Sequence, residues 1–125
     1  MKEKAPSPRI TRLSWGRLEV EGFDKPFKDA KLFPGGAREW DWTETGTGHE
    51  TGVQPGDVRE LLDKGATVVV ISQGMNGRLQ VSAETLGMLK DKGVPVHVLE
   101  TRAAVDRYNE LRETEPVGGL FHSTC

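Results

Sequence analysis

The residues best suited to chemistry fall in a few short stretches. His122 and Cys125 stand three positions apart in His122-Ser123-Thr124-Cys125, and His49 lies beside Glu50 and near Glu44 in a polar loop. An imidazole and a thiol at that spacing can meet one metal ion. A structural zinc site needs more ligands at fixed spacing, so at least one is missing from the local pattern and no metal centre is predicted. The same pair suggests a thiol nucleophile with its base. A nucleophilic thiol must be held rigidly where its pKa is lowered, which a chain end seldom provides. The serines lack a G-x-S-x-G elbow. Glu44, Glu50 and Asp57 read as solvated acids of polar segments, and His97 as a packed, hydrogen-bonded strand residue. No catalytic residue is assigned.

A second stretch offers binding. Val68-Val69-Val70-Ile71 is an unbroken β-branched run, as in a strand covered on both faces. It breaks into Ser72-Gln73-Gly74-Met75-Asn76-Gly77, a polar turn at the strand's carboxyl end, where open α/β sheets place their ligands. Thr101, at the predicted start of a helix after a parallel neighbouring strand, would add free amides to the same edge. The predicted small-molecule pocket is therefore Gln73, Gly74, Met75, Asn76 and Thr101, with His49 from the loop. The competing reading makes Ser72–Gly77 a plain turn and Thr101 a plain cap. There is no G-x-G-x-x-G, and no lysine follows the glycines as a phosphate loop requires, so no nucleotide cofactor is predicted. A third stretch, Arg38-Glu39-Trp40-Asp41-Trp42, alternates so that Arg38, Trp40 and Trp42 share a face. Either the tryptophans cover the core or, if exposed, they form a protein-binding surface.

The elements that must position these residues follow from periodicity. Residues 1–8 read as a flexible arm. Leu18 and Val20 alternate with charged neighbours, Phe27–Phe33 offers another strand with Phe27, Ala30 and Leu32 inward, and Arg38–Trp42 a further one, giving an N-terminal β meander. Thr43–Gly52 has no apolar residue and reads as a surface loop. Pro55 and Asp57 open a helix that Gly65 closes. Leu62-Asp63-Lys64-Gly65-Ala66-Thr67-Val68-Val69-Val70 is echoed by Lys90-Asp91-Lys92-Gly93-Val94-Pro95-Val96-His97-Val98, each a helix end, a glycine cap and a strand. The second helix is capped by Ser82, with Leu86 and Leu89 inward; the third runs from Thr101 along Ala104, Val105, Tyr108 and Leu111; Val117–Phe121 is a last strand. Alternation at this spacing means βαβ units, with Thr67–Ile71 and Val96–Leu99 parallel at the centre. The expected fold is a single α/β domain over residues 9–125.

The totals limit the function. A chain of 125 residues with 35% hydrophobic and 29% charged residues is an ordinary globular composition. A net charge of −2 gives no footprint for nucleic acid. No apolar run approaches the roughly 18 residues of a membrane span, and Met1–Pro8 resembles neither a secretory nor a transit segment, so a cytoplasmic location is expected. The single cysteine, Cys125, allows no intrachain disulfide but can cross-link two chains.

Several stretches together carry a resemblance: Leu13-Ser14-Trp15-Gly16, Phe33-Pro34-Gly35-Gly36, Trp40-Asp41-Trp42, Glu44-Thr45-Gly46-Thr47, His49, Gly52-Val53-Gln54-Pro55, Gly74-Met75, Tyr108-Asn109 and Gly118–Cys125. From about Ile10 to Cys125 the chain resembles the Mth-nine-three-eight-like domain family, and within it the adipogenesis-associated cytosolic branch more than the mitochondrial assembly-factor branch. The resemblance implies a three-layer fold around a mixed sheet. It implies neither an established activity nor an established cofactor, and members that work through protein partners in assembly or regulation. The leading expectation is a non-enzymatic interaction or assembly module that contacts an unidentified protein, or weakly a second copy of itself, through the Trp40–Gly52 segment and nearby surface, with Arg38, Trp40 and Trp42 as its interaction residues. A small-molecule binder or enzyme using the sheet-end pocket is the alternative.

Overall fold

A computed structural model describes residues 6–125. Its centre is a five-stranded mixed sheet in the order β4-β3-β7-β5-β6. The strands are β3 (Asp29–Phe33), β4 (Gly36–Glu39), β5 (Val68–Ser72), β6 (Val96–Leu99) and β7 (Val117–His122), preceded by a separate hairpin of β1 (Ile10–Ser14) and β2 (Arg17–Val20). β5 pairs in parallel with both β6 and β7, while β3 pairs antiparallel with β4 and β7. The β-branched run thus lies inside the sheet, with every residue of β5 buried. The strand after it in sequence, β6, proves to be an edge, and β7 takes the middle position.

Helices α1 (Pro55–Asp63), α2 (Ala83–Asp91) and α3 (Thr101–Leu111) complete the layers. On one face Ala104, Val105 and Tyr108 of α3, with Ile10, Leu18 and Val20 of the hairpin, pack on Leu32, Val68, Val70, Val117 and Phe121. On the other, Val58 and Leu61 of α1 and Leu89 of α2 pack on Val69, Ile71 and Leu120. This is the three-layer α/β arrangement with a mixed sheet. Local chemistry sets the boundaries. Pro55 opens α1, the Ser82 hydroxyl accepts from the Thr85 N–H at 3.2 Å to start α2, and the Glu100 carboxylate accepts from Arg102 and Ala103 N–H to start α3. Gly65 and Gly93 follow α1 and α2 at positive φ, as the repeated segments foretold.

Several expectations change. The meander is split: β1 and β2 form their own sheet, and Phe27 joins it only by a bridge to Leu18. The strand expected over Arg38–Trp42 stops at Glu39, and Trp42–Glu44 is a short 3-10 turn capped by Asp41. Leu86 is exposed rather than inward. Of the expected arm, residues 1–5 lie outside the described residues. Ser7 is buried and donates to the Val117 carbonyl at 2.6 Å, Pro8 accepts from the Tyr108 hydroxyl at 2.7 Å, and this part belongs to the packed domain.

Candidate functional site

β7 carries the site because its last residue, His122, still pairs with Asp29 of β3 but lies beyond the register with β5. The parallel register with β5 ends at Ile71 and Leu120. Beyond it the Ser72 hydroxyl, wholly buried, accepts from the His122 N–H at 2.7 Å, and the buried Thr101 hydroxyl donates to the His122 carbonyl at 2.7 Å. His122 is therefore gripped through its backbone from both neighbouring segments. Its side chain lies on the same sheet face as Leu120, and its Nδ1 is 2.7 Å from Oδ1 of Asp29 at the start of β3. A carboxylate oxygen can only accept there, which places a proton on Nδ1 and, in the neutral ring, makes Nε2 the acceptor, 3.4 Å from the Thr124 hydroxyl.

The tail Ser123–Cys125 then crosses the sheet end. Ser123 N–H and hydroxyl both donate to the Lys28 carbonyl, the Gly16 N–H donates to the Ser123 carbonyl at 2.9 Å, and the Met75 N–H donates to the Thr124 carbonyl at 2.5 Å. Gly74 makes this approach feasible. Its φ is +92°, and an added Cβ would collide with the Cys125 carbonyl and approach the His122 ring. The tail brings Cys125 Sγ to 3.9 Å from His49 Nε2. One ligand-capable atom from each of His49, His122 and Cys125 lies within 4.8 Å of the others. The indole of Trp42 packs against both imidazoles, with ring centroids 5.3 Å from His49 and 4.8 Å from His122. Its buried Nε1–H has no acceptor among the described residues, an omission that ordinarily costs about 1–3 kcal/mol.

Below this cluster lies a charged network that holds the loop. Asp57, wholly buried in the first turn of α1, accepts from Trp40 Nε1 (3.1 Å), the Thr45 hydroxyl (2.7 Å), the Thr47 hydroxyl and the Gln54 N–H (3.1 Å). Lys31, also buried, lies 3.8 Å from Asp57 and 3.0 Å from Glu60. Arg38 forms paired hydrogen bonds with both Glu60 (2.6 and 2.7 Å) and Glu44 (2.6 and 3.2 Å). Those bonds to Arg38, and then to Lys31, hold the Glu60 carboxyl down at about 2, and the same carboxylates push the Arg38 guanidinium above its ordinary value.

The predicted residues are thus sorted by geometry. His49, Met75 and Gly74 come together at the tail, with Gly74 and Thr101 committed to docking it. The predicted pocket edge is occupied by the chain's own last residues, and Thr101 is inaccessible to a ligand. Asn76 is exposed and Gln73 half-buried. Trp40, only 2% exposed, lies in the core and leaves the supposed surface patch; Trp42 is half-buried and Arg38 has its hydrogen bonds satisfied internally. Asp57 is not the solvated acid expected. The sequence reading missed Lys31, Asp29 and the joining of His49 to the tail. The spacing of Asp57 and Glu60, one turn apart on α1, was the signal for a buried cation opposite. Nothing local pointed to Asp29.

A mixed sheet between α1/α2 and α3 with the hairpin, closed at one end by its own C-terminal tail, defines a three-layer α/β domain of one recognisable architecture. The chain belongs to the family described as "Protein of unknown function (DUF498/DUF598)", matched over residues 10–122. Solved structures share the fold. A conserved hypothetical protein from Pyrococcus horikoshii is 22% identical with a TM-score of 0.78, covering 94% of this chain and 99% of that one. An outer membrane protein from Bartonella henselae is 20% identical with a TM-score of 0.75, covering 98% and 100%. A Bordetella pertussis protein described as an Mth938-like domain is 21% identical with a TM-score of 0.61, covering 93% and 85%. At these identities the likeness speaks for the fold alone. No helix among the described residues is long and apolar enough to cross a membrane.

Proposed function

We propose that this domain is a non-enzymatic interaction or assembly module whose contact surface is the sheet end closed by the tail. The observation that carries this reading is Trp15. It stands at the tip of the β1–β2 hairpin with 58% of its surface exposed, while the adjacent Gly16 is hydrogen-bonded to the tail at Ser123. A large aromatic side chain presented on a fixed turn is the residue type that anchors protein interfaces. The occupied sheet end supports the same reading, because the chain's own last residues lie on the edge where α/β sheets usually hold a ligand. The contact region therefore loses the buried Trp40, keeps the exposed His49–Thr51 stretch and the edge of Trp42, and gains Trp15.

Site-specific photocrosslinking in the native host tests this. A photoreactive residue at Trp15 should give a discrete crosslinked species, and the same residue at the exposed Leu86 of α2 should not. Equal crosslinking at both positions, or none at Trp15, would remove the hairpin tip from any interface. Trp15→Ala should leave thermal stability within about 0.5 kcal/mol, as exposed substitutions do.

A second reading, small-molecule binding, has one observation in its favour. A cleft of about 660 Å³ opens between Phe23–Asp29, Glu39 and the covered Trp40, within the size range of ligand sites. A metabolite library screened by thermal shift, with Phe23→Ala as control, would support that cleft through hits lost in the variant. Hits that persist unchanged would discount it.

A further inference from the structure

We propose that His49, His122 and Cys125 form a metal site for a borderline-soft divalent ion of the zinc type, through two imidazole nitrogens and one thiolate. The inference is independent of the interaction reading. It rests on three side chains from distant parts of the chain, a loop, a strand end and the tail, converging within 4.8 Å.

The chemistry of the donors selects the ion. A thiolate with two imidazoles suits zinc and its soft neighbours, whereas magnesium and calcium take oxygen ligands. Zinc bonds of about 2.0–2.3 Å in tetrahedral array separate ligand atoms by about 3.3–3.6 Å. The cluster is thus up to about 1.5 Å wider than a closed site, and His49, exposed on its loop, has the freedom to rotate inward. The other two ligands are already held. His122 is 3% exposed and fixed through its backbone by Ser72 and Thr101. Its Nδ1 meets Asp29 at 2.7 Å, the carboxylate–histidine pairing that fixes tautomer and ring orientation behind a metal. Cys125 is carried in by a tail hydrogen-bonded to Met75, with Gly74 leaving room for it. Trp42 packs against both imidazoles. Three protein ligands leave one tetrahedral position for a water or an exogenous group, the pattern of an open zinc site.

The test uses the full chain, reduced, without a histidine tag and stripped of metal by chelation. Zinc is titrated in competition with a chromophoric chelator, and cobalt serves as the spectroscopic probe. One equivalent should bind, and the cobalt form should show a sulfur-to-metal charge-transfer band with intense tetrahedral d–d bands. His49→Ala and Cys125→Ser should each weaken zinc binding by at least about tenfold without lowering the melting temperature of the apo protein. Cys125→Ser should remove the charge-transfer band, and Asp29→Asn should weaken binding by about 10–100-fold. Absence of stoichiometric binding would overturn the proposal. Binding unchanged by either His49→Ala or Cys125→Ser would equally overturn the three-ligand site.

Discussion

Lys31 shows how one residue can run against the alternation of its strand. Ala30 and Leu32 of β3 face α3 and the hairpin, so Lys31 would point to water in a two-layer protein. In a three-layer one it points under α1, where it is only 1% exposed and lies between Asp57 and Glu60. Removing one partner of a buried ion pair leaves charge without compensation, so Lys31→Met should destabilise the domain by about 3–5 kcal/mol. Urea unfolding at neutral pH measures it, and a loss below about 1 kcal/mol would mean that the remaining donors satisfy both carboxylates. Glu60 adds a pH signature. Arg38 lowers its folded-state pKa from 4.5 to about 2. A depressed carboxyl contributes stability that is present above the unfolded-state value and lost as pH falls through the folded one. Stability should therefore decline between about pH 4.5 and about pH 2. In Arg38→Met the decline over that window should be shallower. Parallel pH profiles of wild type and variant would rule out this coupling.

At the scale of elements, what the sequence disclosed depended on whether the determining contacts were local. The helices are marked by their own caps, Pro55, Ser82 and the glycines after each end, and β5 by its unbroken β-branched run. β7 is marked weakly, because Val117-Gly118-Gly119 has little strand propensity. Its place in the centre comes from packing that no neighbour in sequence reveals. A Cβ on Gly118 would sit 2.9 Å from the Cβ atoms of both Leu61 and Ala66, so α1 rests directly on the strand's backbone. The site is divided in the same way. The His122–Cys125 spacing was visible, but its third member arrives from His49 across the fold, and the Asp29 support arrives from β3. Conversely the supposed Trp40–Trp42 face failed because the strand ends at Glu39 and the chain turns, burying Trp40 on Asp57. Gly118→Ala should cost about 1–3 kcal/mol through overpacking against α1. A thermal melt no lower than wild type would show that α1 can shift away at little cost.

For the whole molecule, the tail acts as a clasp at one end of the sheet, joining segments that also meet through the core. Its hydrogen bonds reach the β1–β2 turn at Gly16, the chain entering β3 at Lys28, and the turn after β5 at Met75, while Thr101 of α3 holds the His122 carbonyl. These bonds fasten the separate hairpin to the main sheet at the end where Trp15, Trp42, His49 and Cys125 are presented. Gly74 is the point at which the clasp can be opened without removing any of its donors. Alanine there would have to adopt a φ near +92° and displace the Cys125 carbonyl, so the tail should lift rather than the sheet unfold. Amide exchange distinguishes the two outcomes, because local openings and global unfolding protect different sets of amides. In Gly74→Ala, the Gly16 and Met75 amides should exchange much faster than in wild type, while Val69 and Val70 inside the sheet keep their protection. Uniform acceleration across all four would make Gly74 a general stability residue. Unchanged exchange at Gly16 and Met75 would mean that the tail bonds do not limit opening at this end. A selective loss would show instead that one backbone position sets the order of this whole end of the domain.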